Sequence, residues 1–304
     1  MNALAAASSC VPGRAIAACS VPTDPCLVRR YRRVRRRPVI RSESANAVRM
    51  TAEIRPGIYR PDWSVVTRPT VREALNGRDR LRIGLAEKWD HALEPAQDRV
   101  WRTVLELFAR VGRSPHLYEI GEETGFSAKN LRMLVAELEA YDLLGIHPSA
   151  DVVLYAYPFT SEPTEHRVQL RGCKLHVVCA IDALGVAGMF RSDVIIESSC
   201  RACNRGIGIA TVQAGLSLSY AQPSNTVVWY DLAYSGCAAA SCCRSIAFFC
   251  SEVELQQWLS AQNPQPLGYR LTLDEALEVG RALFEPVLAA AKPSRDVVAG
   301  ANSR

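Results

Sequence analysis

The sequence predicts an α+β protein, in which a small helix-turn-helix-like helical domain precedes a mixed β-sheet core flanked by helices. Apolar residues recur with a helical period from Pro95 to about Leu144. From Asp151 onward, short apolar runs of strand type alternate with loops. Helices that are segregated from strands along the chain favour an α+β core. With 304 residues and 48% apolar content, the chain is long enough to bury such a core.

Composition and periodicity divide the chain into five segments. Three of them carry no sustained apolar period, and the other two are the helical domain and the β-sheet domain. The predicted segments are a disordered basic arm (1–55), an extension without an indicated role (56–94), the helical domain (95–150), the β-sheet domain (151–291) and a disordered tail (292–304). The extension contains a possible helix from Val71 to Leu85.

The net charge of +5 is concentrated in the basic arm. Eight arginines lie between Arg29 and Arg41, and Asp24 is the only acidic residue before Glu43. The rest of the chain is close to neutral, so an attraction to nucleic acid is predicted for the arm and not for the folded body.

The arm is also rich in Ala and Ser and poor in acids, a composition typical of an organelle transit peptide. A disordered tail, or translation from Met50, would account for it equally. Because no stretch reaches about 18 consecutive apolar residues, no transmembrane helix is predicted. We therefore expect a cytoplasmic protein without a membrane partner, or an organellar one if residues 1–55 are a transit peptide.

Three helices are predicted in the helical domain. The first begins at Pro95, the second spans Leu117 to Thr124, and the third follows the N-cap Ser127 and ends near Leu144. The glycine-containing turn between the last two predicts a helix-turn-helix, and residues 146–157 supply a possible wing.

DNA binding is weighed against a structural role for this domain. A recognition helix needs basic and amide groups on its exposed face, and the third helix offers Lys129, Asn130 and Arg132. The same face carries acids that cancel the attraction to phosphate, namely Glu137, Glu139 and Asp142. A structural or substrate-covering role is favoured, with no nucleic-acid partner.

Strands and helices are both predicted in the β-sheet domain. The strands are Val152–Tyr157, Arg167–Leu170, Val194–Ser198, Gly206–Val212, Thr226–Leu232 and Arg244–Phe249. The helices are Val178–Phe190, Glu252–Leu259 and Leu273–Ala291.

A thiol and a carboxyl lie three residues apart in the predicted helix that follows Val178. Cys179 and Asp182 therefore fall on one helix face, where they can bind a soft metal and deliver a proton. Cys200 follows, and then Cys242 in a segment that ends in Phe248-Phe249. This arrangement resembles the bacterial organomercurial (alkylmercury) lyases, which have a cysteine with an aspartate three positions on, a structural cysteine, and another cysteine before a Phe-Phe strand.

The resemblance runs from about Pro95 to Pro286 and implies a role for each matching residue. Cys179 and Cys242 would be the mercury-binding thiols and Asp182 the proton-handling acid. Cys200 would be a buried structural cysteine.

The resemblance also implies the reaction and its participants. The chain would cleave the carbon–mercury bond of alkyl- or arylmercury compounds by protonolysis, giving a hydrocarbon and Hg(II), as part of mercury detoxification. No organic cofactor is implied. Low-molecular-weight thiols would remove the product, and a mercuric reductase would accept it.

The choice between the adjacent Cys242 and Cys243 depends on local structure. In a strand, the two side chains would point to opposite faces, so only one of them would meet Cys179. The spacing from Cys200 favours Cys242, whereas one extra residue before Phe248 leaves Cys243 possible.

Other interpretations of the cysteines remain open. Cys200 and Cys203 form a CxxC pair, which is half of a structural zinc site, but the chain has no second CxxC. A thiol-based metal-responsive transcriptional regulator, or a non-catalytic metal-binding relative, would also use clustered cysteines. The acidic residues on the third helix argue against a transcriptional regulator. The presence of Asp182 argues against a non-catalytic relative.

Overall fold

The structure is a computed structural model that describes residues 61–82, 84–85, 88, 93–147 and 149–289. The predicted arm, the start of the extension and the tail lie outside the described residues. Among the described helices, none combines the length and the apolar character that crossing a membrane requires.

The helical domain contains the three predicted helices, α2 (Pro95–Val111), α3 (Leu117–Thr124) and α4 (Ala128–Ala140). Each begins and ends where the sequence supplies a capping group. The Ser127 hydroxyl accepts a hydrogen bond from the Asn130 N–H at the start of α4. Gly112 and Gly125 end α2 and α3 with φ of 70°, a left-handed conformation that glycine adopts without strain.

The extension forms a helix, α1 (Pro69–Leu81), which packs against the last helix of the chain, α8 (Leu273–Phe284). Glu278 of α8 accepts hydrogen bonds from the Arg68 N–H at 2.9 Å and from the Thr67 hydroxyl at 2.9 Å. A buried carboxylate that gains several donors in this way holds the two segments together. The predicted helix from Val71 to Leu85 thus exists, although it begins earlier and ends at Leu81.

The main sheet has eight strands in the spatial order β1-β2-β3-β5-β4-β6-β7-β8. Its strands are β1 (Leu144–Ile146), β2 (Val153–Ala156), β3 (Phe159–Thr160), β4 (Arg167–Leu170), β5 (Cys173–Val177), β6 (Ile195–Ser199), β7 (Gly206–Val212) and β8 (Ser217–Gln222). All neighbouring strands are antiparallel, and β1 with β2 forms the hairpin that follows α4.

A second sheet of three antiparallel strands has the order β10-β9-β11. Its strands are β9 (Val227–Asp231), β10 (Ala247–Phe249) and β11 (Gly268–Thr272), and the remaining helices are α5 (Ala180–Phe190), α6 (Cys242–Ser245) and α7 (Glu252–Ser260). Every residue of α5 is buried, since β4, β5, β10 and α8 all pack against it. The predicted α+β class is confirmed, but the prediction of a mixed sheet is wrong, because all strand pairs of both described sheets are antiparallel.

Three predicted boundaries are wrong. The third helix ends at Ala140 and not near Leu144, because the chain turns at Asp142 into β1. The last helix ends at Phe284 and not at Ala291, which is outside the described residues. The predicted strand from Arg244 to Phe249 begins only at Ala247, since Cys242–Ser245 forms the short helix α6.

Helices α5 and α8 approach each other unusually closely at two glycines. A Cβ atom added to Gly185 would lie 2.3 Å from Phe284 Cδ2, and one added to Gly280 would lie 2.9 Å from the Gly185 nitrogen. Real Cβ atoms do not come this close to other atoms, so the helix pair requires glycine at both positions. This contact fixes the position of α5 in the core.

We predict that Gly185→Ala destabilises the protein, whereas Gly188→Ala on the same helix does not. The first substitution overpacks the α5–α8 contact, which typically costs about 1–3 kcal/mol. The second places its Cβ 3.5 Å from Glu285 Cβ, an ordinary contact, and gains helix propensity of up to about 1 kcal/mol. Urea denaturation of both variants measures the difference. Equal unfolding free energies for the two variants would show that the close approach has no energetic effect.

Candidate functional site

The N-terminus of α5 brings Cys179 and Asp182 together. Cys179 is the N-cap, with extended backbone (φ −151°), and its sulfur accepts a hydrogen bond from the Asp182 N–H at 3.4 Å. A small polar side chain at this position satisfies one of the free N–H groups of the first turn. The predicted proximity of the two residues is therefore present, although Cys179 caps the helix instead of lying within it.

The loop before β10 brings Cys242 and Cys243 into the same region. Because these residues lie in helix α6, the expectation that they point to opposite faces of a strand does not apply. The Cys179 sulfur, an Asp182 carboxyl oxygen and the Cys243 sulfur all lie within 4.8 Å of one another. All three residues are buried. We call this group the catalytic cluster, after the role that the family resemblance implies for Cys179 and Asp182.

Cys242 lies directly beside the catalytic cluster. Its side chain is fully buried and its sulfur donates to the Ala238 carbonyl at 3.8 Å. Interaction with the Cys243 side chain, together with burial, raises the pKa of Cys242 well above its ordinary value. The adjacent thiol, Cys243, is the one whose sulfur lies within 4.8 Å of the ligand atoms of Cys179 and Asp182. The premise that the two side chains alternate on a strand is therefore wrong, whereas the spacing argument for Cys242 stays a prediction.

A buried aspartate of the helical domain holds the loop that carries these two thiols. Asp142 accepts hydrogen bonds from the hydroxyls of Tyr155, Tyr157 and Tyr234, each at 3.3 Å. Asp142 also accepts a shorter hydrogen bond, at 2.8 Å, from the Ala238 N–H. Each donor offsets part of the cost of burying the carboxylate, so the network is stable only when it is complete.

Three further hydrogen bonds fix the same loop. The Ala239 N–H donates to the Tyr157 hydroxyl at 2.8 Å, and the Cys243 N–H donates to the Ala238 carbonyl at 3.0 Å. At its far end, the Ile246 carbonyl accepts from the Ala180 N–H at 3.2 Å. This last bond ties the loop to the first turn of α5, where Cys179 and Asp182 lie.

Burial keeps the groups of the catalytic cluster protonated to higher pH than usual. It raises the pKa of the Cys179 thiol to about 11, although the hydrogen bond with Cys243 acts in the opposite direction. The hydrogen bond with Cys179, together with burial, raises the pKa of Cys243 well above its ordinary value. Burial also raises the pKa of the Asp182 carboxyl to about 7. Its Oδ2 atom has no hydrogen-bond partner among the described residues.

Arg82, in the segment to which the sequence assigned no role, supplies a buried positive charge beside the thiols. It is 5% exposed, donates to the Asp231 carbonyl and lies 5.4 Å from the centre of the Tyr230 ring. Its guanidinium interacts electrostatically with the sulfurs of Cys242, Cys243 and Cys179. Burial works against its charged form, but these acidic groups raise the pKa of Arg82 overall.

Sequence reasoning missed Arg82 because nothing local marks it. It is one of many arginines before residue 90, and its proximity to the thiols arises from the packing of α1 on α8 and β11. The only available signal was a basic residue at the end of an amphipathic helix, which usually faces solvent.

A cavity of about 190 Å³ is lined by residues that flank the catalytic cluster in the sequence. Its lining includes Val178 and Arg244, the sequence neighbours of Cys179 and Cys243, together with Tyr155. The cavity has both apolar and charged walls, and the side chains of the catalytic cluster are not part of its lining.

The remaining predicted cysteine, Cys200, is fully buried but is not isolated. Its sulfur and those of Cys203 and Cys250 all lie within 4.8 Å of one another. Burial acts to raise the pKa of Cys200, yet the net shift is downward because backbone N–H groups of Cys250, Cys203 and Ala202 donate to its sulfur. The CxxC pair of Cys200 and Cys203 thus gains Cys250 as a third thiol, whereas Cys243 belongs to the catalytic cluster.

Comparison with known proteins shows a similarity to one enzyme family. Residues 159–285 match the family model of the alkylmercury lyase domain, MerB. This segment contains the catalytic cluster and all of Cys200, Cys203 and Cys250. Over this segment the chain is similar to the organomercurial lyases, and the similarity supports an enzymatic role.

One curated relative is similar in sequence, and one solved structure is similar in fold. The chain is 26% identical over 200 residues to the alkylmercury lyase of Staphylococcus epidermidis (strain ATCC 12228 / FDA PCI 1200), a match that covers 66% of this chain and 88% of the relative. Its fold matches the crystal structure of the mercury-bound form of MerB2 with a TM-score of 0.58 at 22% identity, over 70% of this chain and 100% of the other.

We predict that the Asp182 carboxyl makes stability depend on pH. Its native pKa of about 7 lies above the unfolded value of about 4, so between these values the native state binds more protons than the unfolded state. The free energy of unfolding should therefore fall as the pH rises through this window, by about 1.4 kcal/mol per pH unit from this group. Asp182→Asn removes the group, so its stability relative to wild type should increase from pH 4 to pH 7. Parallel curves for the two proteins in urea titrations would contradict the raised pKa.

Proposed function

We propose that this chain cleaves the carbon–mercury bond of alkyl- or arylmercury compounds by protonolysis, with Cys179, Cys243 and Asp182 as the reacting groups. The observation that carries this proposal is the mutual approach of two sulfurs and one carboxyl oxygen within 4.8 Å in a buried site. Thiolates are soft ligands and bind mercury far better than oxygen ligands do. A carboxyl with a pKa near neutrality is suited to move a proton at physiological pH.

In the proposed reaction, one thiol replaces the ligand that the organomercurial carries, and its proton leaves with that ligand. The second thiol then binds mercury and passes its proton to Asp182. Two sulfur ligands increase the electron density in the carbon–mercury bond, and the carbon takes the proton from Asp182. The carbon–mercury bond breaks, the hydrocarbon leaves, and Hg(II) stays bound to Cys179 and Cys243. No group is oxidised or reduced.

Cys243 replaces Cys242 as the second mercury ligand in this proposal. The support is the contact that the Cys243 sulfur makes with both Cys179 and Asp182. Cys242 remains close enough to interact electrostatically with Asp182 and with Arg82. We assign Arg82 the role of stabilising the thiolates, because a nearby positive charge favours the ionised form of a thiol.

Mercury is the substrate here and not a resident metal, and the proposal includes no organic cofactor. Low-molecular-weight thiols would remove Hg(II) from the buried cluster, and a mercuric reductase would accept it. The proposed location is the cytoplasm, or an organelle if residues 1–55 act as a transit peptide.

We also propose that the helical domain supports the site and does not bind DNA. Arg132, a basic candidate on the third helix, is already occupied by Asp151 in a two-point ion pair at 2.8 and 2.7 Å. The same domain supplies Asp142, which holds the thiol loop.

We expect Cys243→Ser to abolish carbon–mercury cleavage and Cys242→Ser to keep most of it. A serine hydroxyl is similar in size to a thiol, but it is a hard ligand that does not bind mercury well. Benzene released from phenylmercury in excess thiol, measured by gas chromatography, gives the rates. The opposite result, with activity lost only in Cys242→Ser, would return the role of second ligand to Cys242.

Asp182→Asn separates catalysis from mercury binding. The amide has the size of the carboxyl but cannot carry the proton, and general acid–base groups typically contribute about 10²- to 10⁴-fold in rate. We expect a loss of that order in cleavage, while native mass spectrometry still detects mercury bound to Cys179 and Cys243. Cleavage by Asp182→Asn at the wild-type rate would show that the proton comes from another group.

A further inference from the structure

A second group of thiols lies outside the catalytic cluster. The sulfurs of Cys200, Cys203 and Cys250 lie within 4.8 Å of one another, and those of Cys203 and Cys250 are 3.6 Å apart. Sulfur atoms that share one metal ion lie roughly 4 Å apart when each sulfur–metal bond is about 2.3 Å. All three are free thiols. The spacing therefore suits one soft cation bound by three thiolates.

The turn that carries Cys200 and Cys203 is closed by backbone hydrogen bonds. The Asn204 N–H donates to the Cys200 carbonyl at 2.8 Å, and the Cys200 N–H donates to the Arg205 carbonyl at 2.8 Å. Because a fixed backbone orients the ligands that it carries, this part of the site is preorganised before any ion arrives.

The second group is both accessible and close to the catalytic cluster. Cys203 is exposed, whereas Cys200 and Cys250 are buried, so exchange with a thiol in solution has one open entry point. Arg201, next to Cys200, donates to the Arg244 carbonyl at 2.7 Å, next to Cys243. The backbone N–H of Arg201 also donates to the carbonyl of Phe248, two residues before Cys250, at 3.1 Å. One arginine therefore links the two thiol groups.

We propose that Cys200, Cys203 and Cys250 form a second mercury site that takes up the Hg(II) released at the catalytic cluster. This proposal rests on the proposed function for the source of the Hg(II). Transfer is an exchange of thiolates, with low-molecular-weight thiols as carriers. Two bonds from mercury to Cys179 and Cys243 break and three bonds to the second site form. The three thiols lose their protons, of which two return to Cys179 and Cys243 and one goes to solvent.

Mercury suits this site better than zinc does. Structural zinc sites almost always have four protein ligands, and the described residues offer only three here. Soft cations prefer sulfur and accept lower coordination, so a site of thiols alone favours Hg(II) over harder ions. The second site offers one more thiolate than the catalytic cluster does, and the exposed Cys203 allows the ion to leave.

The test is the number of Hg(II) ions that the full-length protein retains. Inorganic Hg(II) is added with an excess of glutathione, which removes ions held by single thiols, and native mass spectrometry counts the remainder. We expect two ions in wild type, one in Cys203→Ala and one in Cys250→Ala. Cys173→Ala is the matched control, because this free thiol belongs to neither group, and it should retain two. X-ray absorption of the wild type should show mercury with three sulfur neighbours.

Three results would overturn the proposal. One is a single retained ion in wild type, and another is two retained ions in both Cys203→Ala and Cys250→Ala. The third concerns the isolated protein: it would contain either one equivalent of bound zinc that Hg(II) does not displace, or a Cys203–Cys250 disulfide that persists when Hg(II) is added. Thermal unfolding checks that the variants are folded, and Cys203 is exposed, so its truncation leaves the core intact. Because inorganic Hg(II) is the probe, the number of retained ions does not depend on carbon–mercury cleavage. The ion count therefore tests the second site, whereas a failure to release benzene from phenylmercury contradicts the proposed function.

Discussion

The position of the second catalytic thiol depends on one buried carboxylate, Asp142. It belongs to the turn after the last helix of the helical domain, and it accepts hydrogen bonds from three tyrosines and from the Ala238 N–H. An unpaired buried carboxylate is costly, so the loop and the tyrosines are held as one unit. The helical domain is therefore part of the architecture of the site, although it contributes no member of the catalytic cluster. This connection explains how a helix-turn-helix can matter to an enzyme without contacting DNA.

The catalytic thiols are held from two sides by different forces. On one side, close packing of Gly185 and Gly280 fixes the entirely buried helix α5 and hence Cys179 and Asp182 at its first turn. On the other, the polar network of Asp142 fixes the loop of Cys243. The hydrogen bond from Ala180 to Ile246 joins the two sides. Packing alone tolerates shifts of a few tenths of an ångström, whereas hydrogen bonds with defined partners select one arrangement.

The parts of the site that the sequence predicted are those determined by local geometry. Cys179 and Asp182 are three residues apart at a helix start, and this spacing by itself brings the side chains together. The expectation that Cys242 and Cys243 point to opposite faces depended on the segment being a strand, and the hydrogen bonds of the loop to Ala238 make it a helical turn instead. Arg82 and Cys250 were beyond sequence reasoning for another reason. Arg82 lies near the thiols of the catalytic cluster, and Cys250 lies near Cys200 and Cys203. In both cases, tertiary packing brings together segments that are distant along the chain, and such packing leaves no periodic signal in the sequence.

The raised pKa values describe a cluster that is almost uncharged until mercury arrives. Near neutral pH the thiols of Cys179 and Cys243 are protonated, and the Asp182 carboxyl is protonated for much of the time. An organomercury compound carrying an apolar group can enter such a site without displacing strongly hydrated charges. In the proposed reaction, binding to mercury would then remove the thiol protons, and Arg82 would stabilise the negative charge that develops. Burial thus has two proposed effects. The low polarity of the site admits an apolar substrate, and it also keeps the proton on Asp182 until the carbon can accept it.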